Sequence, residues 1–214
     1  MAFKLLAIAN SLPSKLLESA TMDEKLAKPN GWIVSQCGVA SRFVAETESQ
    51  IDLGLSAARK ALNASGLASS DIDLVLSASG IPYQTLPSTA PLYQRGLNIG
   101  DGKAAAFDVN STCLSFLSAL DIAGAMLGAG RYRNAIIISS EIASRALPWD
   151  NDPATAALFS DGAAAAVIKA DPDGLCVSAF ETYPSAWEAC QIGAGGTRYD
   201  FHNEHEAFAA NAWF

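Results

Sequence analysis

Hydrophobic and polar positions along the chain fall into short continuous apolar runs separated by longer segments of helical spacing. Runs at residues 3–9 (FKLLAIA), 72–79 (IDLVLSAS), 104–109 (AAAFDV), 134–139 (NAIIIS), 163–169 and 175–179 predict strands. Their lack of polar alternation predicts a sheet covered on both faces. Between them, Ile51, Leu55, Ala58 and Leu62 repeat at helical spacing, with Thr47 or Glu48 as the cap and Gly66 just beyond the end. Residues 87–97 read as another helix, 154–158 as a helical turn and 32–39 as extended, while the polar stretch before Asn30 has room for a short helix at 22–27. Strands alternating with helices through short connections predict the α/β class with a mainly parallel sheet. Residues 1–170 are expected to form one α/β half. Residues 171–214 read as a connecting segment, and the abrupt apolar ending EAFAANAWF reads as the point where a C-terminal half is missing.

The pattern is densest from Ala104 to Gly130, where a strand feeds a long apolar helix through Asn110, Ser111 and Thr112, residues with turn and capping chemistry. Cys113 follows that turn at once. A thiol at a helix start faces unpaired backbone N–H groups and the positive end of the helix dipole, which favour its thiolate, so Cys113 is the candidate nucleophile. From Cys113 to Gly130 Asp121 is the one charged residue, which predicts a helix buried on all faces. Asp121, two serines and three glycines argue against a membrane span there.

Charge and cysteine usage narrow the function classes. With 22 acidic and 14 basic residues the formal net charge is −8, which disfavours general binding to nucleic acid or anionic membrane. Arg131, Arg133 and Arg145 are one candidate basic cluster, with scattered surface arginines as the simpler reading. Cys37, Cys113, Cys176 and Cys190 are widely spaced without a CxxC pair, which suits a reducing cytoplasm rather than a zinc ribbon or disulfide framework. Cys37, Cys176 and Cys190 read as plain core or surface residues. His202 and His205 lie among glutamates, but their spacing offers no third ligand, and no metal is expected. The glycines of GAGG (193–196) read as a loop, and Asp161–Gly162 as a tight turn of structural role.

Four motifs, in order, carry a resemblance: GWIVSQCGVASR (31–42), LPSTA (86–90), DVNSTCLSFLSAL (108–120) and FSDGAAAAVI (159–168). Together they resemble the β-ketoacyl-[acyl-carrier-protein] synthase III family of the thiolase-like superfamily. The resemblance implies a thiolase-like fold, with this chain as the N-terminal half of a five-layer α-β-α-β-α architecture. It implies that Cys113 takes an acyl group from a thioester and that the acyl group is then condensed with malonyl-acyl carrier protein after decarboxylation. The Cys113 N–H would serve as one oxyanion donor, a contribution typically worth about 3 kcal/mol. The family's second donor and its catalytic histidine and asparagine would lie in the other half.

By the same resemblance, Trp32, Leu86 and Phe159 are substrate-binding positions, Trp32 stacking near a coenzyme A adenine and Leu86 reaching a partner subunit's acyl pocket. Gln36 and Pro153 stand where the family often has arginines, which weakens the expectation of free coenzyme A esters as donors. Ser115 stands in place of a usual glycine. The implied partners are acyl carrier protein, an acyl thioester (acyl-CoA or carrier-bound) and a second copy of the chain in a homodimer, with no cofactor, nucleic acid or membrane. Acyl transfer without condensation, and a non-catalytic half acting as a dimerisation subunit, are the alternatives.

Overall fold

The computed structural model describes residues 3–174 and 177–213. In chain order its elements are β1 (Phe3–Ser11), β2 (Lys15–Glu18), α1 (Ser19–Lys25), α2 (Trp32–Cys37), β3 (Ser41–Val44), α3 (Gln50–Ser65), β4 (Leu74–Ser77) and α4 (Ala90–Gly96). There follow β5 (Ala105–Asp108), α5 (Ser115–Gly128), β6 (Asn134–Glu141), α6 (Pro153–Ala156), β7 (Gly162–Ala170) and α7 (His205–Ala210). Leu175 and Cys176, part of the strand expected at 175–179, lie outside the described residues, and 177–179 are not in a strand.

The chain divides into two units. The first draws on Met1–Ser14, Ala45–Ile142 and Asp161–Ser178. Its five strands form one sheet in the order β1-β7-β6-β4-β5, with β4 parallel to both β5 and β6, and β7 antiparallel to both β6 and β1. The sheet is therefore mixed rather than mainly parallel in its pairings, because β7 runs against its neighbours. Alternate residues of the central strands point to opposite layers, as the pleat requires. Val75, Ile136, Ile138 and Val167 pack with α3 and α4 residues such as Leu55, Leu62 and Tyr93. Leu74, Leu76, Ile137 and Ile168 pack with α5 through Ala119, Ala123 and Leu127. The continuous apolar runs of the sequence are thus explained by helices on both faces.

α3 begins at a reciprocal cap, Ser49 Oγ accepting the Asp52 N–H at 3.1 Å while the Asp52 carboxylate accepts the Ser49 N–H at 3.0 Å. Gly54 in this helix lies against the buried Tyr93 ring, where a Cβ would stand 2.5 Å from the phenol oxygen. Close approach of α3 to α4 therefore requires glycine at this position.

α5 departs from the expectation of burial on all faces. Ser115, Ala119, Ala123, Gly124 and Leu127 form its buried stripe, whereas Leu114 just before it is 48% exposed and Leu117 is 52% exposed. Hydrophobicity in the sequence reports what a helix can bury, and only the stripe facing the sheet finds a partner among the described residues of this unit.

The second unit draws on Lys15–Val44, Ala143–Ser160 and Ala179–Phe214. Antiparallel β2 and β3 pair from Lys15↔Val44 to Glu18↔Ser41. Residues 32–37, expected to be extended, form α2. The cause lies ten residues upstream, where the Asp23 carboxylate accepts the N–H groups of Gly31 (2.8 Å) and Ile33 (3.0 Å) and so caps the helix start. Gly38, at φ +74°, ends it.

Candidate active site

β4, β5 and β6 are parallel, so the loops leaving their C-terminal ends gather along one edge of the sheet, where ligands of α/β proteins are generally held. After β5 the buried Val109 leads into an exposed turn, Asn110 to Leu114, and α5 begins at Ser115. Cys113 is exposed within that turn, just ahead of the helix rather than as its first residue. The reason is two successive tight turns, Leu114 N–H to the Ser111 carbonyl (3.1 Å) and Ser115 N–H to the Thr112 carbonyl (3.0 Å), which delay the helical pattern.

Thr112 takes φ +51°, in the left-handed region that a β-branched residue seldom enters. Such a conformation persists only when its surroundings over-determine it. Here the Asn110 Oδ1 accepts the Thr112 N–H at 2.9 Å, and the buried Ser115 hydroxyl donates to the Thr112 carbonyl at 2.6 Å while accepting the Ser111 N–H at 3.0 Å. The turn is also tied to the loop after β4, because Asn110 Nδ2 donates to the Gly80 carbonyl at 3.0 Å. That loop is stitched to the end of β6: Gly80 N–H donates to Glu141 Oε1 at 2.5 Å, Ser79 Oγ donates to the Ser140 carbonyl at 2.9 Å, and Gln50 Nε2 donates to the carbonyls of Ile81 (2.9 Å) and Ser140 (2.7 Å). Burial raises the pKa of Glu141 above the usual carboxylate range, an effect opposed by the N–H groups of Gly80 and Ile81.

Asp108, at the head of the cysteine motif, has a structural task. Its carboxylate accepts the N–H groups of Thr89 (2.8 Å) and Ala90 (2.7 Å) and so holds the start of α4. Leu86 lies in the loop before that helix, at a cis bond to Pro87, and is 84% exposed.

Trp32 and Phe159 belong to the second unit, and both are half-buried. Trp32 opens α2, with the Lys28 ammonium 5.1 Å from its ring. A cleft of about 470 Å³ in this unit is lined by Lys25, Leu26, Lys28, Trp149, Asp150, Asn151 and Pro153. Arg42, the last residue of the first motif, is 2% exposed; it donates to the Ala157 carbonyl at 3.0 Å and lies 5.4 Å from the Trp149 ring. Its burial lowers its pKa, opposed by Cys37 and Asp23. Cys37 Sγ lies 3.3 Å from the Ile33 carbonyl and 3.6 Å from the Ala157 carbonyl, with its one S–H to give to either, in keeping with a packing role.

Arg133 pairs with Asp73 at 3.4 Å and Arg131 lies over Tyr132, while Arg145 belongs to the second unit. His202 and His205 pack around Phe201 at 5.4 Å each. Among the described residues no group of three or more His, Cys, Asp or Glu is arranged to hold a metal.

A family model described as 3-oxoacyl-[acyl-carrier-protein (ACP)] synthase III matches residues 107–184, a span that begins in β5 and takes in the Cys113 turn, α5, β6, α6 and β7. The β-ketoacyl-[acyl-carrier-protein] synthase III of Rhizorhabdus wittichii is 40% identical over 166 residues, which is 77% of this chain and 51% of that protein. The chain is similar to the 3-oxoacyl-[acyl-carrier-protein] synthase III family. Two solved synthase III structures share its thiolase-like α/β fold. The one from Aquifex aeolicus VF5 is 32% identical with a TM-score of 0.74, covering 80% of this chain and 55% of that one. A second, described as a 2.1 Å structure, is 26% identical with a TM-score of 0.85, covering 94% and 60%. The chain spans about half the length of the curated relatives it matches.

The sequence motifs located Cys113 but missed Glu141, Gly80 and the role of Asn110 in joining them. A polar residue closing an apolar strand, as Glu141 closes NAIIISS, was the available signal.

Proposed function

We propose that this protein is the nucleophile-bearing part of an acyltransferase of the synthase III type, acting on acyl thioesters in fatty-acid or polyketide-type synthesis. The observation that carries the reading is an exposed thiol, Cys113, on a turn whose left-handed Thr112 is held by Asn110 and Ser115 at the C-terminal edge of parallel strands. In the proposed reaction Cys113 Sγ attacks the thioester carbonyl, the bond from that carbon to the donor sulfur breaks, and the donor thiol leaves with a proton. Malonyl-acyl carrier protein then loses carbon dioxide, its carbanion attacks the acyl carbon, and the bond to Cys113 Sγ breaks to return the thiolate. The Cys113 N–H is the proposed oxyanion donor within this chain.

Leu86 and Phe159 are the proposed acyl-contacting positions and Trp32 the proposed donor contact. The exposure of Leu86 suits a side chain that meets a partner subunit, and the open edge of β5 suits pairing in a homodimer. Lys25 and Lys28, lining the cleft near Trp149, offer cations to a phosphate-bearing donor although Gln36 and Pro153 do not. Residues 1–170 would constitute one half of the five-layer architecture and 171–214 the connection onward, with the exposed side of α5 facing the second half. No described helix is long and apolar enough to cross a membrane, and the free thiols Cys37, Cys113 and Cys190 fit a reducing cytoplasm.

Incubation with acyl-CoA and with acyl carrier-bound thioesters, read by intact mass and peptide mapping, tests this. An acyl adduct on Cys113 that disappears in Cys113→Ser is expected, and its absence with both donors would overturn the reading. Carbon dioxide release from malonyl-acyl carrier protein separates condensation from simple acyl transfer.

A further inference from the structure

Glu141 ends β6 with its carboxylate turned into the loop after β4, where Gly80 N–H donates to it at 2.5 Å and the Ile81 N–H also contributes. A buried carboxylate is costly unless a donor meets it, and the short bond from the Gly80 N–H supplies one. The hydrogen bonds continue beyond the loop. The Gly80 carbonyl accepts from Asn110 Nδ2 at 3.0 Å, and Asn110 Oδ1 accepts the N–H of Thr112, the residue that precedes Cys113 and carries the left-handed backbone. Gly80 is also seated between the two ends of this chain of contacts, since a Cβ built on it would lie 3.5 Å from the Thr112 carbonyl and 3.6 Å from Glu141 Oε1. The neighbouring bonds of Ser79, Ser140 and Gln50 fix the strand ends and do not reach Asn110; the other contact with the turn is the longer one from the Ser115 hydroxyl to the Ser79 carbonyl, at 3.4 Å.

We propose that Glu141 is a positioning residue for Cys113: it fixes the Gly80 corner, and Asn110 relays that placement to the Thr112 backbone and hence to the thiol. This rests on the reading of Cys113 as the acyl acceptor. It adds that the geometry of attack depends on a carboxylate well separated in sequence, which itself does not touch the acyl group. Displacing a reacting group by about 1 Å can cost on the order of a hundredfold in rate, so a loosened turn is expected to slow acylation while leaving donor binding in place.

The test compares the native protein with Glu141→Leu, Glu141→Gln and Asn110→Ala, using amide hydrogen exchange over residues 110–114 and the rate of Cys113 acylation by an acyl thioester. Glu141→Leu and Asn110→Ala should each lose exchange protection in that segment and slow acylation at saturating thioester by about tenfold or more, with the half-saturating concentration unchanged. Glu141→Gln, which keeps an oxygen acceptor for the Gly80 N–H, should retain the protection and most of the rate. The double variant should be no worse than the worse single one, because the two residues act in series. Native exchange and a native rate in Asn110→Ala, or in a folded Glu141→Leu, would overturn the proposal. If the native protein takes no acyl group, the acyl-acceptor reading fails by itself, and the exchange measurement still decides whether Glu141 places the turn.

Discussion

Ser115 shows how a single atom can change the meaning of a motif. In the sequence it is a departure from a usual glycine beside the candidate nucleophile, with no evident task. In the structure its hydroxyl closes the Cys113 turn, accepting from Ser111 N–H and donating to the Thr112 carbonyl. Ser115→Ala removes these bonds together with the 3.4 Å contact of the same hydroxyl to the Ser79 carbonyl, so a loss of about 1 kcal/mol is expected in urea unfolding. Ser115→Gly should cost more, because it adds backbone freedom at the first helical residue. An alanine variant as stable as the native protein would remove Ser115 from the account of the turn. The strand and turn that present the candidate Cys113 were readable from the order of motifs, since a strand, three turn residues and a cysteine need only local information, whereas the exposure of the thiol was not read there. The left-handed Thr112 and its tie to Glu141 were not, because the Gly80–Glu141 contact joins residues 61 apart in sequence.

At the scale of elements, local signals worked where the stabilising partner was itself local. The start of α3 was readable to within one or two residues: the sequence offered Thr47 or Glu48 as the cap, and the structure uses Ser49, which Asp52 caps in return across a single turn. α2 was not readable, because its cap, Asp23, is a buried side chain from the preceding helix and the short segment WIVSQC has no strong helical preference of its own. Asp23→Ala would leave the N–H groups of Gly31 and Ile33 without their acceptor inside the second unit. A loss of about 2 kcal/mol is expected, with α2 melting first. The check is chemical denaturation together with hydrogen exchange across residues 31–37: exchange there should accelerate before that of the β2–β3 pair. Unchanged protection of 31–37 would show that packing rather than the cap makes this helix. The outer side of α5 follows the same logic in reverse: its sequence is apolar all round, yet burial depends on what lies opposite, which hydrophobic periodicity does not encode.

At the scale of the molecule, the first unit is assembled from three separate stretches of chain, and specific carboxylates fasten the places where the chain leaves and returns. Asp161, buried where the chain re-enters ahead of β7, accepts the Ala45 N–H at 2.8 Å. Glu48 does the same for the departure after β1: one oxygen accepts the N–H and the hydroxyl of Ser14, each at 2.8 Å, and the other accepts the N–H groups of Glu46 (3.2 Å) and Thr47 (3.3 Å). The Ser14 backbone bond is the largest cause that lowers the Glu48 pKa from an ordinary 4.5 to about 2. The folded state therefore binds the proton more weakly than the unfolded chain does, and stability rises with pH across that interval. Glu48 contributes fully above about pH 4.5, and its contribution is lost as pH falls towards 2. Glu48→Gln should accordingly melt below the native protein at neutral pH, with the gap closing steadily in acid as the native side chain becomes neutral too. Thermal midpoints of the two proteins measured side by side from pH 7 to pH 3 isolate this group, since every other carboxylate titrates in both. A gap that stays constant with pH would assign the effect to side-chain shape rather than charge, and Glu48 would then hold Ser14 by geometry alone.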